Sequence, residues 1–370
     1  MSKRYHWLHQ SQYVSSLSSA CTMCAKGSKM VVLITGKCPA HCYYCPLSKH
    51  KQHKDVIYAD EWKLTDENDI NTLISEAKAI QATGAGITGG DPLLVPKRTI
   101  RYIKLLKETF GISFHIHLYT SGIKNTEFIK QMVSSGLDEI RFHPEPRFWS
   151  TMDQSPYSQC IIETTKLPVE TAIEIPSIPN KKKEIIDLIK WADHHKIDYI
   201  NLNELEFSEQ NEQVLYQKGY QMKDDVSAAA KISQKTAYDV LTYFEHQPVT
   251  IGIHYCSSSF KDGVQLTNRM KRRAHTIATD QDIITEQGTL LKGIIESTNK
   301  ISLKDIITFF KKQHITAKEY QINTEKNRIQ IHPRLAEKLA ETKSSKKLSI
   351  FIIEEYPTAD HLEVERIPLP

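Results

Sequence analysis

From Met30 onward, short β-branched runs alternate with amphipathic segments, and no other feature of this chain restricts its fold as much. Apolar and β-branched residues gather near 31–35, 85–88, 113–119, 138–142, 169–175 and 198–203. The segments near 67–82, 97–108, 125–134, 155–165 and 181–195 carry apolar positions at three- and four-residue spacing. The first set reads as strands and the second as helices. Ser134, Ser135 and Gly136, together with Gly84, mark stops after helices. Strands that alternate with helices assemble as β-α units on a parallel sheet. Six such units predict either a partial barrel or a doubly wound sheet.

The strands choose between the two. In FHIHLYT, Phe114, Ile116 and Leu118 alternate with His115, His117 and Tyr119; in EIRFHP, Ile140 and Phe142 alternate with Arg141 and His143. YINLNE repeats the division, with Ile200 and Leu202 opposed to Tyr199, Asn201 and Asn203, and Glu170, Ala172 and Glu174 repeat it more weakly. Parallel strands covered on both faces normally read as continuous apolar runs. One polar face carried through several strands therefore predicts a polar lumen, with helices over the apolar face. His117, Arg141, His143 and Asn203 are then candidate substrate-facing residues. The alternative is a packed core in which these groups satisfy one another, because buried His and Arg need partners. The expected fold class is α/β, with a partial (β/α)6 TIM-like barrel over 30–256. An N-terminal segment, 1–29, precedes it, and a small α+β accessory region, 257–370, follows.

The first strand runs into TGKCPAHCYYCP, where Cys38, Cys42 and Cys45 are spaced Cys-x3-Cys-x2-Cys and Tyr44 precedes the last thiol. Three of the seven cysteines within eight positions point to thiolate ligation of a metal. A zinc knuckle or plain buried thiols would share the count, but no fourth ligand stands close by to close a tetrahedral zinc site. Ligands of α/β barrels sit at the C-terminal ends of the strands, which selects the residues closing each strand. Strand two closes with Thr88, Gly89, Gly90, Asp91 and Pro92, and adjacent glycines there permit close backbone approach. The third closes with Tyr119, Thr120 and Ser121, and the fourth with Arg141 and His143. Glu174, before Pro176 and Pro179, closes the fifth; Asn201, Asn203, Glu204 and Glu206 close the sixth.

The cysteine spacing, the aromatic before the third cysteine and GGDP one unit later resemble the radical S-adenosylmethionine (radical SAM) superfamily. TGGDPL, HLYTSG, GLDEIRFHP and NLNELE are similar to an uncharacterised archaeal group related to pyruvate formate-lyase activating enzymes. The resemblance covers about residues 30–205. It implies an iron-sulfur oxidoreductase whose [4Fe–4S] cluster is held by Cys38, Cys42 and Cys45, with one iron left open for S-adenosylmethionine. Reductive cleavage would then give a 5′-deoxyadenosyl radical that takes hydrogen from a substrate. The same resemblance gives cofactor contacts to Tyr44, Gly89, Gly90, Asp91, Ser121 and Glu174, with Asp91 in place of the commoner glutamate. An external electron donor is implied. The substrate stays open between a glycyl-radical protein, tRNA and a small molecule bound through Arg141 and His143. A different class is a metal or iron-sulfur protein that binds RNA or a protein partner without catalysis.

Two further features lie outside this core. Cys21-x2-Cys24 is a candidate second metal or auxiliary cluster site, with Cys256, which follows His254 on VTIGIHYC, as a third ligand. Unligated thiols or a redox pair are the alternatives. The basic run Arg269, Lys271, Arg272 and Arg273 reads as a solvated helix face or as a contact for an acidic partner or a phosphate. A charged content of 25% and a hydrophobic content of 40% are ordinary for a soluble globular protein, and a net charge of +4 is too small to argue for nucleic acid. No apolar run approaches the roughly 20 residues of a membrane span, and the N-terminus lacks the apolar core of a secretory signal. An odd set of unevenly spread cysteines fits a reducing compartment, so a cytoplasmic protein is expected.

Overall fold

The computed structural model describes residues 2–224, 227–342 and 347–370. The chain divides into two compact units, one ending at Leu266 and the other made of Ala79–Gln81 and Thr267–Pro370. The first unit carries the strands β1 (Arg4–His6), β2 (Gln12–Val14), β3 (Lys29–Thr35), β4 (Tyr58–Ala59), β5 (Trp62–Lys63) and β6 (Gly84–Gly89). It continues with β7 (His115–Thr120), β8 (Glu139–Phe142), β9 (Glu170–Ser177), β10 (Tyr199–Glu204) and β11 (Gly252–Cys256). They form one mixed sheet in the order β1-β2-β11-β10-β9-β8-β7-β6-β3-β4-β5. β3 and β6 to β11 pair in parallel, each beside its neighbour in sequence. β2 and β4 join them antiparallel, and β1 and β5 continue these edges. The helices are α1 (Ser19–Ala25), α2 (Ile70–Ala79), α3 (Pro96–Phe110), α4 (Ile129–Ser134), α5 (Ser158–Thr164), α6 (Lys182–His194), α7 (Glu212–Gln217), α8 (Ser233–Glu245) and α9 (Ser258–Phe260).

The parallel strands number seven among the described residues, one more than the six read from the sequence. The addition is β11, the short strand that VTIGIHYC predicts after the six units, and it sets His254 beside Asn201 and Cys256 beside Asn203. The segment before Met30 does not stand apart from the repeat either, because β2 pairs with β11 and covers its otherwise open edge. The unit also runs past 256: Phe260 and Val264 pack on Cys256 in a small apolar cluster.

The alternation read from the strands is real. Ile116, Leu118, Ile140, Phe142, Ile173, Ile175, Ile200 and Leu202 are fully buried on the apolar face. The opposite face is polar and is also buried: His117, Arg141 and Asn201 are almost inaccessible. α1 packs against β3 and β7. Along β6 this face carries glycines. A Cβ on Gly86 would stand 2.7 Å from the ring of His117, its register partner on β7, and one on Gly84 would meet the Lys29 ammonium at 2.8 Å. The two glycines make room for the larger polar side chains of their neighbours.

The second unit is α+β, as expected. It holds α10 (Thr267–Ile277), β12 (Ile283–Ile284), β13 (Leu290–Glu296), α11 (Leu303–Lys312), β14 (Tyr320–Asn323), β15 (Arg328–Ile331), α12 (Pro333–Ala340), β16 (Ser349–Glu355) and β17 (Glu363–Pro368). Its strands pair antiparallel over a core that includes Ile295, Ile306, Phe310, Ile329 and Ile331. Much of the basic run is committed here: Arg273 is buried and donates to the Pro357 carbonyl, and Arg272 Nε donates to the Ile80 carbonyl at 2.8 Å. Lys292 bridges Asp282 at 2.9 Å and Glu355 at 2.6 Å, and Arg328 meets Glu355 at 3.0 Å.

Two outcomes follow. Gly86→Val forces its side chain into His117 and should cost about 1–3 kcal/mol, read as a lower urea midpoint at unchanged slope. For Glu355, burial raises the carboxyl, but the His361 hydrogen bond and the Lys292 charge outweigh it and hold it at about 2. The stability from this carboxylate is complete above its ordinary value of 4.5 and is lost as pH falls through about 2. Acid unfolding followed by circular dichroism should therefore flatten over that window in Glu355→Gln.

Candidate active site

The cysteine loop leaves β3 at Thr35 and is pinned at its base. The Gly36 N–H donates to the Lys54 carbonyl at 2.8 Å, and His53 N–H donates to the Gly36 carbonyl at 2.8 Å. A second loop, the GGDP turn after β6, lies directly against this base. Gly90 N–H donates to the Thr35 carbonyl and Asp91 N–H to the Lys37 carbonyl, each at 2.7 Å. Side chains would prevent this approach: a Cβ on Gly89 would meet the Thr35 oxygen at 2.2 Å, and one on Gly90 the Lys37 oxygen at 2.0 Å. Gly89 also has φ +129°, a conformation that favours glycine.

Asp91 is fully buried, and its carboxylate is consumed within the chain. It accepts from Thr120 Oγ1 at 2.8 Å, from Leu93 N–H at 3.0 Å, and from both the N–H (3.0 Å) and the hydroxyl of Ser121. Asp91 and Ser121, two of the residues expected from sequence to contact the cofactor, are therefore bonded to each other. Their geometry ties the end of β6 to the end of β7.

Cys38, Cys42 and Cys45 are each half-buried on the loop. Burial pushes the Cys38 thiol up to about 12 and the Cys42 thiol up to about 11. Thiolates there need a cation beside them, which a coordinated metal supplies. Among the described residues, no set of three ligand atoms that includes these thiols lies wholly within 4.8 Å. Ligands of a single zinc ion, about 2.3 Å from the metal, would stand roughly 4 Å apart. In this structure the three thiols are not gathered as the ligands of a single zinc ion. Tyr44 is buried, and its hydroxyl lies 2.9 Å from His143 Nε2. Asn211 donates to the Tyr44 carbonyl at 3.0 Å and to the Glu206 carbonyl at 3.0 Å, anchoring the loop to the segment after β10. Nothing in the polar sequence around Asn211 signals that role.

Deeper on the polar face, Arg141 donates from all three guanidinium nitrogens. Its partners are Glu139 Oε1 (2.6 Å), Glu174 Oε2 (2.6 Å), Ser18 Oγ (2.9 Å) and Cys21 Sγ (3.4 Å). Glu174 also accepts from Asn203 at 2.8 Å and Asn201 at 3.3 Å. His117 Nε2 lies 3.1 Å from the Tyr119 hydroxyl. Of the residues expected to face a substrate, Arg141 and His117 are thus interior and bonded within the chain, and Asn203 is bound to Glu174. Burial lowers His143 from its ordinary value, which favours the neutral ring beside Tyr44.

Cys21 and Cys24 lie on α1 within the same interior, and burial pushes both thiols up, Cys24 to about 11. Cys256, at the end of β11, is buried and raised for the same reason. Among the described residues these three thiols do not form a set within 4.8 Å, and Cys21 already donates toward Asn201 at 3.8 Å. The geometry does not assemble them as ligands of one ion.

Comparison with known proteins gives the family. A model described as the radical SAM superfamily matches residues 32–145, and one described as a domain of unknown function (DUF8061) matches 288–369. A protein of Methanocaldococcus jannaschii described as a "putative glycyl-radical enzyme activating enzyme" is 40% identical over 362 residues, covering 95% of this chain and 93% of that one. Among solved structures, methylornithine synthase is matched with a TM-score of 0.40 and 13% identity, over 61% of this chain and 70% of that one. A radical S-adenosylmethionine methyltransferase from Kitasatospora setae is matched with a TM-score of 0.37 and 12% identity, over 70% and 55%. The chain belongs to the radical SAM superfamily. It is an enzyme that uses a [4Fe–4S] cluster and S-adenosylmethionine. No helix of the described residues is long and apolar enough to cross a membrane.

The Asp91 knot makes a test of how the site is held. Asp91→Asn places an amide where two donors of Ser121 converge, and should cost about 1–3 kcal/mol of stability in urea unfolding.

Proposed function

We propose that Cys38, Cys42 and Cys45 hold the cluster, and that the backbone of Gly89 and Gly90 receives the amino group of S-adenosylmethionine beside it. Bound together, the two cofactors supply one-electron cleavage to a 5′-deoxyadenosyl radical. The observation that carries the assignment is the backbone seam between the loops, Gly90 to Thr35 and Asp91 to Lys37, which sets the glycines against the base of the thiol loop. Tyr44 and Asn211 fix the loop's far side, and Glu174 and Ser121 support the neighbouring strand ends. The seven parallel strands, with their single buried polar face and α1 against it, support a partial barrel that opens at the cysteine loop. An external reductant supplies the electron.

The substrate we infer is a glycine in a partner protein, from which hydrogen is taken. The M. jannaschii relative's description motivates this class. The interior supports it too. A small anionic metabolite, one of the three classes the sequence leaves open, would use Arg141 with His143, but the guanidinium is already surrounded by Glu139, Glu174 and Ser18. That leaves the rim for the substrate, where an extended peptide segment can reach.

Anaerobic protein given S-adenosylmethionine and a reductant should release 5′-deoxyadenosine, and Cys42→Ala should lose both that product and its bound iron. A partner protein present in the assay should acquire a glycyl-radical signal by electron paramagnetic resonance. No 5′-deoxyadenosine from wild type overturns the cofactor assignment. Product without a protein radical overturns only the substrate class.

A further inference from the structure

At the end of the sheet opposite the cysteine loop, three adjacent parallel strands begin with a potential metal ligand. His115 is the first residue of β7, Glu139 of β8 and Glu170 of β9. Each contributes a ligand atom, and all three atoms lie within 4.8 Å of one another. This is the one such set among the described residues. We propose that it binds a single divalent first-row metal ion through one imidazole nitrogen and two carboxylate oxygens.

The carboxylates are poorly explained without a cation. Glu139 is fully buried; its Oε1 accepts from Arg141, but its Oε2 is buried with no hydrogen-bond partner. Glu170 Oε2 is also buried without a partner. The two residues are register partners on β8 and β9. Two buried carboxylate oxygens facing one small space, neither of them hydrogen-bonded, repel each other and forfeit the hydrogen bonds they would make to water. A cation at their focus removes both costs.

The third ligand is already oriented. Lys29 Nζ lies 2.8 Å from His115 Nδ1 and donates to the His115 carbonyl at 2.6 Å, which leaves Nε2 directed to the acids, 4.0 Å from Glu139 Oε2. Coordination through Nε2 requires the ring proton on Nδ1, where the Lys29 amine, still donating to the carbonyl, accepts it; metal-binding imidazoles are commonly held by such a bond from the other ring nitrogen. Access is also present. His115 and Glu170 line a groove of about 480 Å³ together with Ser19, Asp138 and Asp198, so the remaining coordination positions open to water. Asp138 and Asp198 are engaged elsewhere, with Lys107 and with the Thr171 N–H, and remain outside the ligand set. One nitrogen with two carboxylate oxygens suits Mn2+, Fe2+ or Zn2+, and does not suit the soft ions that select thiolates. Such an ion would join the starts of β7, β8 and β9.

Mn2+ is the probe of choice, because a hard ion does not compete for the loop thiols. Titrating the anaerobic holoenzyme with Mn2+ and reading the signal of free against bound ion by electron paramagnetic resonance should give one site per chain. Glu170→Gln and His115→Gln should each weaken it more than about tenfold, while Asp198→Asn retains it. Both ligand variants leave the Arg141–Glu139 pair intact, and a thermal melt in Mn2+ provides a second readout: the wild type rises and the two variants do not. The proposal is overturned if wild type and Glu170→Gln bind Mn2+ equally, or if wild type binds none. In the latter case a proton shared between the two carboxyls is what relieves their repulsion.

Discussion

The site depends on one buried carboxylate. Asp91 sits where three strand ends meet, and burying its charge is tolerable only because hydroxyl and backbone donors surround it. Its backbone faces the other way and donates to the cysteine loop, so the residue joins β3, β6 and β7 at once. The two glycines before it let backbone replace side chain along that seam. A chain lacking either part of the arrangement would still form the sheet, but the thiol loop and the GGDP turn would no longer be held in one relation.

The polar face shows the same economy on a larger scale. It was legible as a lumen or as a self-satisfied core, and the structure combines the two. Arg141 is at its centre, bonded to β8 and β9 and to the N-terminal segment. α1 brings Cys21 and Ser18 onto this face, so part of what sequence alternation alone would leave as empty lumen is filled by residues that precede the first parallel strand. The half-buried thiols lie on the cysteine loop at the end of β3. The small glycines of β6 belong to the polar face: a larger side chain at Gly84 or Gly86 would not fit beside Lys29 and His117.

Much of this was readable before any coordinates. Six strand positions fall within a few residues of those observed, because strand and helix periodicities differ enough to separate even short elements. The thiol spacing and the GGDP turn needed no tertiary information either, since both are local in the chain. β11 was legible as a strand in VTIGIHYC, but its place beside β10 depends on a partner some fifty residues away. The capture of β11's edge by β2 is a contact across most of the unit, and no local pattern encodes it. Asn211 and the His115, Glu139, Glu170 set were illegible for the same reason. Each is an ordinary polar residue until neighbouring strands bring it to its partners.

The sequence by itself determined the kinds of group available: three crowded thiols, a glycine pair at a strand end, and strands with one polar and one apolar face. Local spacing and side-chain alternation are properties of the chain, so they survive without knowledge of the fold. Tertiary structure alone decided which polar groups are free. Whether Asp91, Ser121 and Arg141 meet a ligand or each other depends on strand register and on what is packed above the sheet. Those distances are set by residues far apart in sequence, and in this protein they direct all three side chains inward.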